Sequence, residues 1–324
     1  MKRLSLLLAV LGLILGIGLI SHFGFDSIAG AIGRIGPGEF GLIVGWQLVI
    51  FAILGTAWHV ILPGEQRAPT WVTVWARMVR DASATCLPFS QVGGFVFGTR
   101  AATLHGIKWQ TATASMVVDL TAEFLAQIAF AAIGLTILLA HAPSSDLALP
   151  LEIGLGLAVA GGIAFVAAQK GAGPIFSALG KRIAGNRFEN ARERMAVLQA
   201  EVALIHGHTP RLIAGFLLHL LGWIATGFAG YLTLRLLDVP IGFDQALAIE
   251  ALVAAVAAMA FLVPVNAGVQ EAGYVALGAL FGVPPDIAIA VSLIRRARDV
   301  TLGVPILLVW QLVEVRRLRG RAVD

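Results

Sequence analysis

From Gln110 to Ala140 the chain reads QTATASMVVDLTAEFLAQIAFAAIGLTILLA, an apolar block interrupted by Asp119 and Glu123. It is long enough to cross a hydrocarbon core of about 30 Å. No water in such a core can satisfy backbone N–H and C=O groups, so the block must bond internally as a helix. Comparable blocks cover about 4–20, 40–62, 147–169, 211–237 and 286–314. Hydrophobic residues make up 58% of the 324 positions and charged residues 13%, against about 25% charged in an ordinary soluble domain. The short alternating segments of a transmembrane barrel are absent. The expected fold is an all-α polytopic membrane protein, one integral membrane domain over 1–324.

Two further apolar segments, about 68–106 and 244–282, are broken in the middle. The first breaks at Leu87-Pro88-Phe89-Ser90-Gln91-Val92-Gly93-Gly94 and the second at Val263-Pro264-Val265-Asn266-Ala267-Gly268. Proline removes a donor and clashes with the preceding turn, and glycine tolerates almost any backbone. Each segment is expected to form a re-entrant hairpin of two half-helices, or else two short spans. The full count is then about six transmembrane helices plus two broken hairpins. A shift of 176 residues superimposes Pro88 on Pro264, Leu104 on Leu280, Gly106 on Gly282, Ala112 on Ala288 and Ala114 on Ala290. With the shared order of helix, broken hairpin and helix, this predicts repeat halves at about 40–140 and 211–314. Three intervening spans would give the halves opposite orientation, as in many transporters.

Lysine and arginine counts set the sidedness. Lys2 and Arg3 precede the first block, which exceeds the h-region of a signal peptide and is expected to stay as an uncleaved helix. With the N-terminus inside, the strongly basic loop 170–210 and Arg316-Arg317 are also inside, so both termini are cytoplasmic and every loop obeys the positive-inside rule. The net charge of +4 belongs to these topology signals and not to a nucleic-acid surface. In the loop, Ala191, Met195, Leu198, Val202 and Ile205 have helical spacing. They predict a surface helix, attracted to anionic lipid head groups or packed on the protein's own helices.

The remaining signal is charge at membrane depth. Asp119 and Glu123 share a helix face. Arg77, Arg80 and Asp81 precede the first break and Arg100 follows it. Glu250 and Glu271 flank the second, and Arg295, Arg296, Arg298 and Asp299 lie in the last span. Each costs roughly 2.5–3.5 kcal/mol at mid-helix on insertion scales. They persist by pairing or by facing a polar cavity that receives a lipid head group. Asp119 and Glu123 are expected to contact arginines, with Arg295, Arg298, Arg80 and Arg100 as candidates. A lipid-sized cavity is expected between the breaks, with Pro88, Gly93, Gly94, Pro264, Asn266 and Gly268 at the turns, Glu271 pointing inward and Arg100 within reach. No metal, cofactor or nucleotide motif is present. Cys86 is the single cysteine, and His206-Gly207-His208 is too sparse for a metal site.

Trp75-Ala76-Arg77-Met78-Val79-Arg80-Asp81, the Leu87 to Gly94 stretch, Arg100, Val263 to Glu271 and Arg295 to Asp299 together resemble the hopanoid-biosynthesis-associated membrane protein family called HpnL. That family is similar to the transmembrane flippase domain of lysylphosphatidylglycerol synthases. The resemblance covers nearly the whole chain and implies a transporter or flippase of lipids in the bacterial inner membrane. It implies a hopanoid as cargo and hopanoid-biosynthesis proteins as possible partners. The synthases also carry a soluble aminoacyl-transferase domain. This sequence ends a few residues after its last helix, so that activity is not expected. The alternative is a membrane-embedded enzyme or assembly subunit of hopanoid or glycolipid synthesis, with Glu271 or Glu250 as acid/base.

Overall fold

Apolar runs that must satisfy their own backbone in lipid become helices, and the computed structural model places ten of them among its described residues, 30, 33–64, 68–87, 90–142, 148–171, 187–259 and 268–320. In chain order they are α1 (Pro37–Ile61), α2 (Thr70–Cys86), α3 (Ser90–Leu104), α4 (Trp109–His141), α5 (Ala148–Gly171), α6 (Arg187–His206), α7 (Thr209–Leu236), α8 (Phe243–Met259), α9 (Val269–Leu280) and α10 (Pro285–Gly320). No strand occurs among the described residues. Four helices are long and apolar enough to cross a membrane: α1, α4, α7 and the Leu149–Ala167 part of α5. The chain is an all-α, multi-pass membrane protein. The expected span at 4–20 lies outside the described residues. The expected span 286–314 is one continuous helix, α10, about 54 Å long at 1.5 Å per residue. Four charges at 295–299 crowd its middle, against the two, Asp119 and Glu123, within α4.

The helices divide by what covers them. Only 6% of the apolar window of α5 is buried in the protein, with Leu149, Leu157 and Ile163 fully on its surface, so lipid covers nearly all of this helix. The windows of α1, α4 and α7 are 33–39% buried. These three helices surround a core of Trp58, Ile61, Val118, Phe130 and Leu138 together with α2 and α8.

The two broken segments are broken in the structure. Their arms α2, α3, α8 and α9 have 17, 15, 17 and 12 residues, about 18–26 Å each, short of the 30 Å core. Pro88, Pro264 and Asn266 lie outside the described residues. Gly268 starts α9 with φ 79°, and its N–H donates to Glu271 Oε2 at 2.8 Å. Gly93 and Gly94 depart from expectation. They lie inside α3 and do not line the turn. Glycine weakens a helix by about 1 kcal/mol relative to alanine, but here it permits contact: a Cβ on Gly94 would sit 2.9 Å from the Arg80 carbonyl oxygen on α2.

The corners that follow the two hairpins match under the 176-residue shift. Gly106 and Gly282 both take positive φ, 97° and 76°. The backbone bonds Gly106 N–H to Thr103 O and Ala112 N–H to Lys108 O recur as Gly282 N–H to Ala279 O and Ala288 N–H to Pro284 O. Packing recurs as well. α1 lies on α2 as α7 lies on α8, and α8 packs on α4 as α2 packs on α10. α6 packs its apolar row inward, with Leu198, Val202 and Ile205 against Ile61, Ala114, Val118 and Ala122. Met195 stays exposed, and the Ala191 side chain lies outside the described residues.

The α1–α2 contact depends on Gly55, where a Cβ would run into the Val74 backbone. Gly55→Ala is expected to cost about 1–3 kcal/mol through overpacking, read as a lower melting temperature in detergent. An unchanged melting temperature would place the two helices further apart.

Candidate functional site

The charges assemble into three groups. The first joins α2, α4 and α7. Arg77 and Arg80 are three residues apart on α2, and Asp119 and Glu123 four apart on α4, so each pair projects from one helix face. The faces meet. Arg77 donates to both Glu123 oxygens, Nη2 to Oε1 at 2.6 Å and Nη1 to Oε2 at 3.2 Å, and Arg80 Nη2 shares Oε2 at 2.6 Å. Arg77 Nε also donates to Asp81 Oδ2 at 2.8 Å. Asp119 lies deeper, wholly buried, with Arg80 Nη1 at 3.4 Å and Arg77 Nη1 at 3.7 Å from its Oδ2. Its other oxygen is 2.8 Å from Nε2 of His219 on α7. Asp119 and Glu123 therefore do contact arginines. Arg80 was foreseen and Arg77 was not, while Arg295, Arg298 and Arg100 pair elsewhere.

The second group joins α8, α9 and α10. Arg295 Nη1 contacts Glu250 Oε2 at 2.6 Å, and the Tyr274 hydroxyl donates to Glu250 Oε1 at 2.6 Å. Gly230 on α7 makes room: a Cβ there would strike the Glu250 carboxylate. Beside this group, Arg296 meets Glu271 at 2.7 Å, and the Ser292 hydroxyl donates to the same carboxylate. Arg298 pairs with its chain neighbour Asp299 at 2.7 Å. The third group is Arg100 with Glu314, which bridges α3 and α10 at 2.8 Å.

A shallow, partly open cleft with about 10 Å³ of free room lies over the second group. It is lined by Glu250, Tyr274, Arg295 and Arg298 with Thr226, Thr233 and Gly230 of α7. The free room is about that of one water molecule, so the lining side chains nearly fill the cleft and it is not the lipid-sized cavity expected between the breaks. Of the expected site residues, Glu250, Arg295 and Arg298 line this cleft. Arg77, Arg80, Asp119 and Glu123 form the first group, Glu271 and Asp299 lie on the flank of the second, and Arg100 is remote from the cleft. Sequence reasoning missed His219, Tyr274, Ser292 and Glu314 as members. His219 is a single polar residue on an apolar stretch and Glu314 lies near the end of the last helix, while Ser292 and Tyr274 are uncharged residues beside the charges that drew the reading.

The chain belongs to the family described as the lysylphosphatidylglycerol synthase TM region, whose match covers residues 4–308. No curated protein and no solved structure matches the chain.

Proposed function

We propose that this chain is a lipid translocase of the bacterial inner membrane that carries a hopanoid or a related lipid and performs no covalent chemistry. The observation that carries the reading is the cleft beside α7. Two arginines of α10, a carboxylate of α8 and a tyrosine hydroxyl of α9 converge there, and α8 and α9 are too short to span the membrane. Arginine presents a planar fork of donors suited to a carboxylate or phosphate. Broken helices at membrane depth are where transporters bind polar substrates. The narrower resemblance to the hopanoid-associated family, carried by Leu87 to Gly94 and Arg295 to Asp299, favours a hopanoid cargo, and membership of the wider family favours lipid handling. Comparing a labelled hopanoid with a labelled phospholipid in the reconstituted protein tests the cargo. Faster movement of the hopanoid supports it, and equal rates make the carrier unselective.

In this reading both termini are cytoplasmic, the basic segment 170–210 meets anionic head groups, and the repeated corners at Gly106 and Gly282 belong to two inverted halves. Their hairpins then open to opposite sides. Single cysteines at Lys108 and Pro285 should react with a membrane-impermeant thiol reagent from opposite faces. Labelling of both from the same side would rule out the inversion.

A further inference from the structure

Counting charge in the buried groups singles out one of them. In the second and third groups every arginine has one carboxylate: Arg295 with Glu250, Arg296 with Glu271, Arg298 with Asp299 and Arg100 with Glu314. The first group does not balance. Arg77 and Arg80 face three carboxylates, Asp81, Asp119 and Glu123. The sixth member, His219, is wholly buried and in contact with wholly buried Asp119. With a neutral imidazole the group carries one net negative charge inside the bundle, and with an imidazolium it carries none.

The imidazole has a place for that proton. Nε2 faces Asp119 Oδ1 at 2.8 Å. Nδ1 is buried and has no hydrogen-bond partner among the described residues. A neutral ring that donates through Nε2 leaves the Nδ1 lone pair as the acceptor. Histidine is the side chain whose ordinary titration falls in the physiological range, and ionisable residues inside membrane bundles recur in proton relays.

Among the described residues, no further lysine or arginine forms an ion pair with the group. On α7 the Trp223 indole donates to the Glu123 backbone carbonyl. α2 supplies Arg77, Arg80 and Asp81, and α4 supplies Asp119 and Glu123. α1, packed along α7, carries the half-buried His59 near Ile61. From α8, Glu250 meets α7 three turns away and is held by Arg295 of α10, where Arg298 and Asp299 close on each other. Glu201 of α6 accepts from Thr111, about two turns before Asp119 on α4.

We propose that His219, held by Asp119 and balanced against Glu123, binds one exchangeable proton inside the bundle, and that its binding and release are coupled to lipid movement. The second clause rests on the translocase reading and the first does not. The proton adds to Nδ1 while the Nε2–H stays on Asp119, and release returns the neutral ring. No bond between heavy atoms changes.

Two measurements on the full-length protein test it. The first is ¹⁵N magnetic resonance of histidine-labelled protein in lipid nanodiscs between about pH 5 and 8.5, a range that brackets the ordinary imidazole titration. The His219 signal is assigned by its loss in His219→Gln, whose amide can still donate to Asp119. Should that variant misfold, a chain with the other six histidines replaced by glutamine gives the assignment. Reversible conversion between imidazole and imidazolium is expected. A ring fixed in either state across the range overturns the proton site. The second measurement follows a labelled lipid in vesicles with the membrane potential clamped and a pH gradient imposed. Coupling to one proton shifts the steady-state leaflet ratio about tenfold per pH unit, and His219→Gln abolishes the shift. Lipid movement indifferent to the gradient overturns the coupling and leaves the translocase intact. A titrating His219 in a protein that moves no lipid defeats the translocase reading and the coupling, and leaves the proton site.

Discussion

Arg77→Ala will destabilise the protein by about 3–5 kcal/mol, the cost of removing one partner from a buried ion pair. Arg77 is 3% exposed and touches Asp81, Asp119 and Glu123. Its loss leaves three carboxylates to Arg80 alone, with Asp119 beyond the reach of solvent. The penalty is chiefly desolvation of the orphaned charges, so it falls when one of them is removed too. Arg77→Ala/Glu123→Ala restores the parental net charge and should recover a large part of the loss. Thermal unfolding in detergent reads both variants. A single variant that melts with the parent, or a double variant worse than the sum of its parts, contradicts the account of this group as a set of interdependent buried ion pairs.

Arg298→Ala will slow lipid translocation at least about tenfold while leaving stability near the parent. A tenfold change corresponds to about 1.4 kcal/mol in the barrier, within what one charge-assisted hydrogen bond supplies. The separation of effects follows from geometry. Arg298 lines the cleft, but its ion pair is with the next residue, Asp299, on the same helix, so no bridge between helices is cut. Glu271→Gln should slow transport less. Its carboxylate holds Arg296 and caps α9 through Gly268, and the amide oxygen retains part of both contacts. If both variants transport at the parental rate with matched melting temperatures, these charges are structural pairs and the cleft is not the site.

How much of this was legible beforehand depended on the kind of signal. Spacing was legible: Asp119 and Glu123 four residues apart in an apolar block had to share a face and find cations. Which cations was not legible, because the 176-residue shift relates equivalent positions and says nothing of contact. The same shift superimposes Asp119 on Arg295, yet in the structure they have separate partners, with the polarity of the helix pairs reversed. Arginines on α2 meet carboxylates on α4, and a carboxylate on α8 meets an arginine on α10. Pro88 and Pro264 lie outside the described residues, but the described helices stop at Cys86 and Met259 and resume at Ser90 and Val269, on either side of the expected breaks. Glycine misled, because Gly93 and Gly94 read as turn residues from composition and serve as a contact surface in α3. His219 was the costliest omission. One histidine on an apolar helix has no sequence signature, and its role follows only once Asp119 is known to face it.

The central claim, that this chain alone moves lipid between leaflets, is tested most directly with purified protein in liposomes holding a head-group-labelled lipid. An impermeant quencher outside destroys the outer-leaflet signal and then reports each label that crosses. The account predicts continued loss of signal beyond the outer-leaflet half in protein-containing vesicles, at a rate that scales with protein per vesicle and falls with Arg298→Ala. A plateau at the outer-leaflet half, indistinguishable from protein-free liposomes for hopanoid and phospholipid alike, would contradict it.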